Sequence, residues 1–363
     1  MINENFNYRK HYMTKKELVF VGWINKGKVP VVGETVKNQY LISELQKYCK
    51  VIPLDFYQKN RHPWIYLQAL WTFLLHPHAS IVLSTSAKNV YSMLKVFKAL
   101  GVKRNIIHWV VGGAFGNLVK EGVFDTDVFN YVSFNLVQCH AMVTQLKECG
   151  ITNAKYVSNF KDIKYYPPLE KYLEERRTNK IIRFVYLSRI HPDKGCNYIF
   201  EAVKILNQAG FEDKFIVDFY GKPDEKYKND FLNQINHYKN VSYNGVLNLR
   251  EKEGYDTLAS YHAMLFPTFH SSEGFAGVFI DAFIAGLPVL ASDWAYNSES
   301  LQNGKNGIIY PVHDVNAIVE TMNNCIIGKT DLFEMARNAR AEAAKYEAKN
   351  VINEDYLKEI GLL

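Results

Sequence analysis

The chain has 363 residues, enough for two domains. Hydrophobic residues make up 48% and charged residues 22%, the balance of a soluble globular protein, and no apolar run reaches the length of a membrane span. Charge is uneven: residues 1–165 hold 21 Lys and Arg against 10 Asp and Glu, and the remainder 22 against 27. The basic half reads either as a plain basic surface or as attraction to an anionic lipid or a pyrophosphate-bearing acceptor. Nucleic acid is set aside, because the chain shows no binding motif for it. Five scattered cysteines without a C-x-x-C pattern fit free thiols in a reducing cytoplasm and no zinc site. The start, MINENFNYRKHYMTKKE, lacks the apolar core of a signal peptide.

Residues 1–16 read as a polar tail, and Leu18–Trp23 as the first buried strand. INKGKVPVVGE, with Gly27, Pro30 and Gly33, must be a loop, and a helix follows from about Thr35. Val51–Leu54 and Ile81–Leu83 read as further strands. Between them, HPWIYLQALWTFLLHPH presents a wide apolar face. Core packing is the preferred reading. A membrane surface is the alternative, since Lys59, Arg61, His62, His76 and His78 flank the aromatic helix. Val90–Leu100 is helical, and Ile106–Val111 is a strand running into Gly112 and Gly113. His108, inside that strand, reads as a core residue. Asp125-Thr-Asp127 resembles a metal-binding D-x-D pair, but an Asp before an apolar helical run is an ordinary N-cap. Ala141–Val143 reads as a short strand, with Thr144 capping a helix that Gly150 ends. Lys155–Val157 reads as the next strand, and Lys161–Lys180 as a charged linker.

The alternation then repeats. Phe184–Leu187 is a strand, Ser188–Gly195 a loop with Arg189, Asp193 and Lys194, and a helix follows. Phe215–Phe219, Val241–Tyr243, Ala263–Phe266 and Ile308–Tyr310 are strands, and residues from Thr330 onward are helical. The stretch SSEGFAGVFIDAFIAGLPVLASD, Ser271–Asp293, reads as loop, helix, Gly stop and strand. A strand, a Gly-bearing loop and a helix N-terminus together make an anion site. Glu273 and Asp281 sit in it as acceptors for hydroxyl groups, which suits a nucleotide-sugar. An ordinary crossover with two solvated acids is the plainer reading of the same residues.

EGFAGVFIDAFIAGLPVLASD resembles the E-x7-E motif and following strand of glycosyltransferase family 4, retaining enzymes of the GT-B fold. YLSRIHPDKG, Tyr186–Gly195, looks like that family's strand-loop-helix carrying Arg and Lys. The likeness runs in outline from about Leu18 to Tyr346 and is specific in the second half. One departure stands out: Asp281 replaces the family's second glutamate. The resemblance implies an α/β chain of two Rossmann-like, doubly wound domains facing a central cleft. The acceptor-side domain would be 1–165 with roughly 347–363, the linker 166–180, and the donor domain 181–346. It implies that Arg189 and Lys194 meet the departing diphosphate and that Glu273 accepts from sugar hydroxyls. Gly33, Gly274, Phe275, Ala276 and Gly277 would line the donor, Asp281 would meet the ribose, and VLNLREKEG the nucleobase. No cofactor and no metal are expected; the donor would be a UDP-sugar. The acceptor would be a glycan or a lipid-linked glycan of surface polysaccharide synthesis, reached in the cytoplasm or from the inner membrane face. A nucleotide-sugar epimerase of the same fold and a non-catalytic partner subunit are the alternatives.

Overall fold

The computed structural model describes residues 15–27, 33–57 and 59–363. Most of the expected polar tail and residues 28–32 of the first glycine-bearing loop lie outside these. Among the described residues the strands form two six-stranded sheets in which every neighbouring pair is parallel. The first holds β1 (Glu17–Gly22), β2 (Lys50–Asp55), β3 (Ser80–Ser84), β4 (Ile106–Trp109), β5 (Phe134–Val137) and β6 (Ala154–Tyr156), in the order β2-β1-β3-β4-β5-β6. The second holds β7 (Ile182–Leu187), β8 (Phe215–Tyr220), β9 (Val241–Tyr243), β10 (Ala263–Phe266), β11 (Val289–Ser292) and β12 (Gly307–Tyr310), in the order β12-β11-β10-β7-β8-β9. Parallel strands need crossovers, and the crossover helices cover both sheet faces. That is why ELVFVG and IRFVYL are near-continuous apolar runs rather than alternating ones.

Topology positions the site. The second sheet winds outward in both directions from β7 and β10, so the loops after these two strands part and leave a crevice at their carboxyl ends. The first sheet reverses in the same way between β1 and β3. One face of the first sheet packs against the helices Trp64–Leu75, Ala87–Ala99 and His140–Glu148, through Ile65, Ala69, Val90, Leu94, Met142 and Leu146. The other face packs against the helix Gly33–Tyr48 and the segment from Ala348 to Leu362, with Val351, Ile352, Leu357 and Ile360 buried.

Four readings of the sequence change here. Ala141–Val143 is not a strand: it lies in the helix His140–Glu148, where Met142 and Leu146, four apart, share the buried face. The strand is β5, whose apolar signal is broken by Asn135, a buried side chain bonded to Phe129 O and Asn153. Residues 166–180 are not a plain linker. They contain the helix Leu169–Thr178, which buries Tyr172, Leu173 and Arg176 on one face. The third change is the apolar helix Trp64–Leu75, which buries only Ile65 and Ala69. Trp64, Leu67, Leu70, Trp71, Leu74 and Leu75 are 51–74% exposed, because one helix can offer a sheet only one face. The fourth is β4, which stops at Trp109 rather than Val111. Elsewhere Asp125 is an N-cap, accepting from Asp127 N–H at 3.0 Å, and His108 is a core side chain with Nδ1 2.8 Å from Asn135 Oδ1.

Candidate active site

Two loops meet where the second sheet reverses. β7 leads through Ser188 and Arg189 into the turn Pro192–Lys194, where His191 Nδ1 accepts from Asp193 N–H. Gly195 follows with φ 81°, and a Cβ there would stand 2.1 Å from Pro267 O. Only glycine turns the chain into the helix Cys196–Gln208 while lying this close to the neighbouring loop. That loop leaves β10 at Pro267 and runs to the helix Gly277–Ile284. Lys194 Nζ donates to Glu273 Oε2, which also accepts from Thr268 Oγ1–H at 3.2 Å. Both charged side chains are only 12% exposed. The structure thus brings together the cation and the carboxylate read from the sequence.

Arg189 is exposed beside them, its Nη2 3.3 Å from His270 Nε2. His270 Nδ1 lies 3.0 Å from Ser272 Oγ, and Trp294 Nε1–H donates to His270 O at 2.9 Å. Burial, and then the charge of Lys194, hold the His270 imidazole below its ordinary range. The helix Gly277–Ile284 begins at Ala276 with no side chain capping its first N–H groups, which keeps an anion-binding end open. Phe275 packs at a tilt against Tyr346, with ring centroids 5.3 Å apart, and Ala276 is buried.

The first sheet closes on this loop through glycine. Gly113 N–H donates to Ser272 O at 3.0 Å, and a Cβ on Gly113 would lie 1.8 Å from Glu273 O. Gly274 packs on the same backbone, its Cβ position 3.2 Å from Gly112 C. The Gly-Gly pair in the loop after β4 is what lets two main chains touch here. Nearby, the Glu299 carboxylate accepts from His140 N–H and Ala141 N–H at 2.6 and 2.8 Å, and Tyr296 OH lies 3.4 Å from Gln145 Oε1. A cavity of about 270 Å³ opens between, lined by Gly113, Asn117, Gln145, Ser271, Glu273 and Trp294 among others.

Asp281 faces a different space. It is buried in the helix, and its Oδ1 accepts from Lys161 Nζ and from Tyr255 OH, the latter at 2.8 Å. Burial and the Asp281 charge push the Tyr255 phenol far above its usual value. Lys161 and Tyr255 also line a cavity of about 370 Å³, together with Gln39, Tyr40, Ser43, Tyr165, Leu249 and Arg250. Leu249 and Arg250 belong to the VLNLREKEG segment. Glu273 and Asp281 therefore flank one loop-helix junction with a cavity on each side. Gly33 is not gathered into this cluster. It is the exposed first residue of the helix Gly33–Tyr48, and its Cβ position meets nothing within 4 Å.

Several residues of the site went unread in the sequence. Thr268 and His270 were within sight, five and three positions before Glu273 in PTFHSSEGF. Trp294 follows directly on the Ser271–Asp293 stretch, whereas Lys161 and Tyr255 arrive from distant segments and carry no local signal. Lys37, one turn after Glu34, donates to Val110 O at 2.9 Å; burial brings it down to about 7 despite the neighbouring carboxylate. Among the described residues no group of three or more His, Cys, Asp or Glu is placed to hold a metal ion.

With this geometry in view, comparison with known proteins adds the following. Residues 182–327 match the family model "Glycosyl transferases group 1". A curated Klebsiella pneumoniae protein, the uncharacterized 41.2 kDa protein in the cps region, is 24% identical over 156 residues; the match spans 43% of this chain and 40% of that one. The crystal structure of Anabaena Alr3699/HepE in complex with UDP superposes with a TM-score of 0.71 at 15% identity, over 96% of this chain and all of that one. Sucrose-phosphate synthase from Thermosynechococcus elongatus gives 0.72 at 12% identity, over 95% and 98%. The lipopolysaccharide outer core galactosyltransferase WaaB, apo form, gives 0.64 at 14% identity, over 96% and 100%. The fold is GT-B.

Proposed function

We propose that this chain is a retaining glycosyltransferase. It moves a sugar from a nucleotide-sugar, most simply a UDP-sugar, to a glycan or lipid-linked acceptor in surface polysaccharide synthesis. One observation carries the reading: Arg189, Lys194 and Glu273 converge at the reversal of the second sheet, beside an uncapped helix N-terminus, with a cavity on either side. The match of residues 182–327 to group 1 glycosyl transferases supports it, and so does the likeness to HepE, whose structures hold UDP and UDP-glucose.

The chemistry follows from the charges. The bond from the anomeric carbon to a diphosphate oxygen breaks, and its electron pair stays on the leaving phosphate. Arg189 offers that phosphate a planar fork of donors, Lys194 a point charge, and the Gly277 end backbone N–H groups. In the resting site Lys194 is held by Glu273. On donor binding the lysine turns to phosphate and the carboxylate to a sugar hydroxyl, so neither charge is left unpaired. The acceptor oxygen bonds to the anomeric carbon on the face the phosphate leaves, and its proton passes to the departing phosphate oxygen. Lys194 and Arg189 thus do the work a divalent metal does in other transferases. Asp281 meets the ribose, once Lys161 releases it or through its second oxygen. The working place is the cytoplasm, at the inner face of the membrane.

The test is a panel of nucleotide-sugars with and without acceptor, in the presence of chelator. Acceptor-dependent release of nucleoside diphosphate with retained anomeric configuration is the expected result. An isomerised donor would make the protein an epimerase, and no turnover with any donor would make it a non-catalytic partner. Asp281→Ala is expected to weaken UDP binding by ~1–3 kcal/mol in calorimetry, from the loss of charged hydrogen bonds. Unchanged affinity would take Asp281 out of the nucleotide site.

A further inference from the structure

The helix Trp64–Leu75 is apolar on both sides. Ile65 and Ala69 face the sheet, and the opposite face presents Trp64, Leu67, Leu70, Trp71, Leu74 and Leu75 to solvent. A soluble surface rarely carries so contiguous an apolar patch unless something covers it. The patch continues onto the next helix, Ala87–Ala99. Phe73 meets Phe97 edge-on at 5.5 Å, and Val96 and Leu100 beside it are 56% and 74% exposed. Arg104 fastens the junction by donating to Phe73 O and His76 O.

The charge along the stretch that carries this patch has one sign. From Phe56 to Lys120 the chain has no Asp or Glu, against eight Lys and Arg. Arg61, Lys88, Lys95, Lys98 and Lys103 are exposed. Of the acids that bond into it from outside, Glu17 is shared by Lys50 and His76, Asp55 is held by backbone N–H groups, and Asp125 and Asp127 lie beside Tyr91 and Lys98. An exposed apolar face with two tryptophans, rimmed by cations, matches the headgroup layer of an anionic bilayer: rings and leucines enter the acyl boundary while lysines stay at phosphate level. A second copy of this chain fits poorly, because a two-fold contact would set one cationic rim against the other. No helix among the described residues is long and apolar enough to cross a membrane, so the helix would lie in the interface plane.

We propose that the helix Trp64–Leu75 docks this protein on an anionic lipid surface. The docking names the partner of the acceptor-side half and rests on the sugar-transfer reading only for its purpose, which is access to a lipid-linked acceptor. The fold supports that purpose. β2 ends at Asp55, whose carboxylate accepts from Ile24 N–H and Lys26 N–H at the strand's cleft end, and the chain from there enters the helix at Trp64. The first turn of the helix is therefore on the cleft side of the domain.

The test is co-sedimentation of the full chain with vesicles of phosphatidylcholine, alone and with increasing phosphatidylglycerol. Binding should rise with the anionic lipid and fall with salt. The variant Trp64→Ser/Trp71→Ser, changed only at exposed positions, should lose binding by about tenfold or more with its melting temperature kept. Lys95→Glu/Lys98→Glu should lose about as much through charge alone. Absence of wild-type binding to anionic vesicles, or wild-type binding in both variants, would overturn the proposal. So would a wild-type dimer in analytical ultracentrifugation that the tryptophan variant dissolves. UDP binding in vesicle-free buffer keeps the two readings apart: vesicle binding without UDP binding would fail the enzyme reading alone, and the reverse would fail the docking alone.

Discussion

Lys194 and Arg189 lie on one short loop but differ in what surrounds them. Lys194 is paired with Glu273 in a nearly closed setting, whereas Arg189 stands in solvent. Removing Arg189 should therefore leave stability within about 0.5 kcal/mol. On the proposed reaction it should still lower kcat by ~10²-fold, since its donors would act on charge that builds in the transition state. Lys194→Met should lower both, since it strands Glu273 without a cation. Thermal melts and steady-state kinetics on the two variants check this; equal losses of stability would contradict the difference in environment.

Two buried histidines set an acid limit. Burial lowers His108 and His262 to about 4, against 6.5 for the free side chain. Between those values the unfolded chain binds protons that the folded chain refuses, so stability falls as pH drops from about 6.5 toward 4. His262 is the better probe. Its Nδ1 accepts from Arg183 N–H at 3.0 Å, so its Nε2–H donates to Arg176 O at 3.1 Å, an arrangement open only to the neutral ring. His262→Gln can keep one acceptor and one donor without titrating. It should flatten the decline by up to ~3 kcal/mol, read from denaturant melts across that pH range. At this scale the sequence was legible where a residue sits in a motif, as Arg189 and Lys194 do in YLSRIHPDKG and Glu273 in EGFAG. It was silent on Lys161 and Tyr255, because nothing local tells that residues 120 and 26 positions away will share Asp281 Oδ1.

Among elements, the Gly112-Gly113 corner shows how the loop after a strand serves a contact between the two sheets' loops. Gly113→Ala must move either its own loop or the Glu273 loop, given the 1.8 Å approach to Glu273 O. The expected result is a loss of kcat near ~10²-fold, the scale of a 1 Å misplacement of catalytic groups. Calorimetry of UDP should change far less. Wild-type kcat in this variant would mean that the loop takes up its working position without the first sheet. The helix Leu169–Thr178 teaches the complementary lesson. EKYLEERR reads as solvated linker by its charge density, yet Arg176 is 3% exposed. It donates to the carbonyls of Ala259, Ala285 and Gly286, where two helices end. A cation between two helix C-termini is stabilised by their dipoles and needs no carboxylate, and composition alone cannot distinguish it from a surface arginine. The helix Trp64–Leu75 misled in the opposite direction: its apolar residues predict burial, but they surround the whole helix and the sheet takes one side.

For the whole molecule, the alternation of strand and helix was legible throughout, since parallel strands buried on both faces leave unbroken apolar runs. Strand order was not, because order depends on which crossovers pack, and no local pattern carries that. One arrangement reaches further than geometry. The segment from Ala348 to Leu362 supplies one face of the first sheet's core, and Cys49 Sγ approaches Leu362 O across a separation of 313 residues. Deleting residues 347–363 should therefore expose Leu18, Phe20, Ile107 and Leu136 and drive the protein into the insoluble fraction. Soluble, cooperatively melting truncated protein would show that the first sheet stands without it. During translation the same fact becomes a matter of waiting. After β6 leaves the ribosome, almost two hundred residues must still be made, ~10–40 s at ordinary elongation rates. For that interval an apolar face of the first sheet is open to water and to chaperones, whereas the core of the second sheet is completed by residues made before that tail. The half synthesised first waits on residues synthesised last to complete its core.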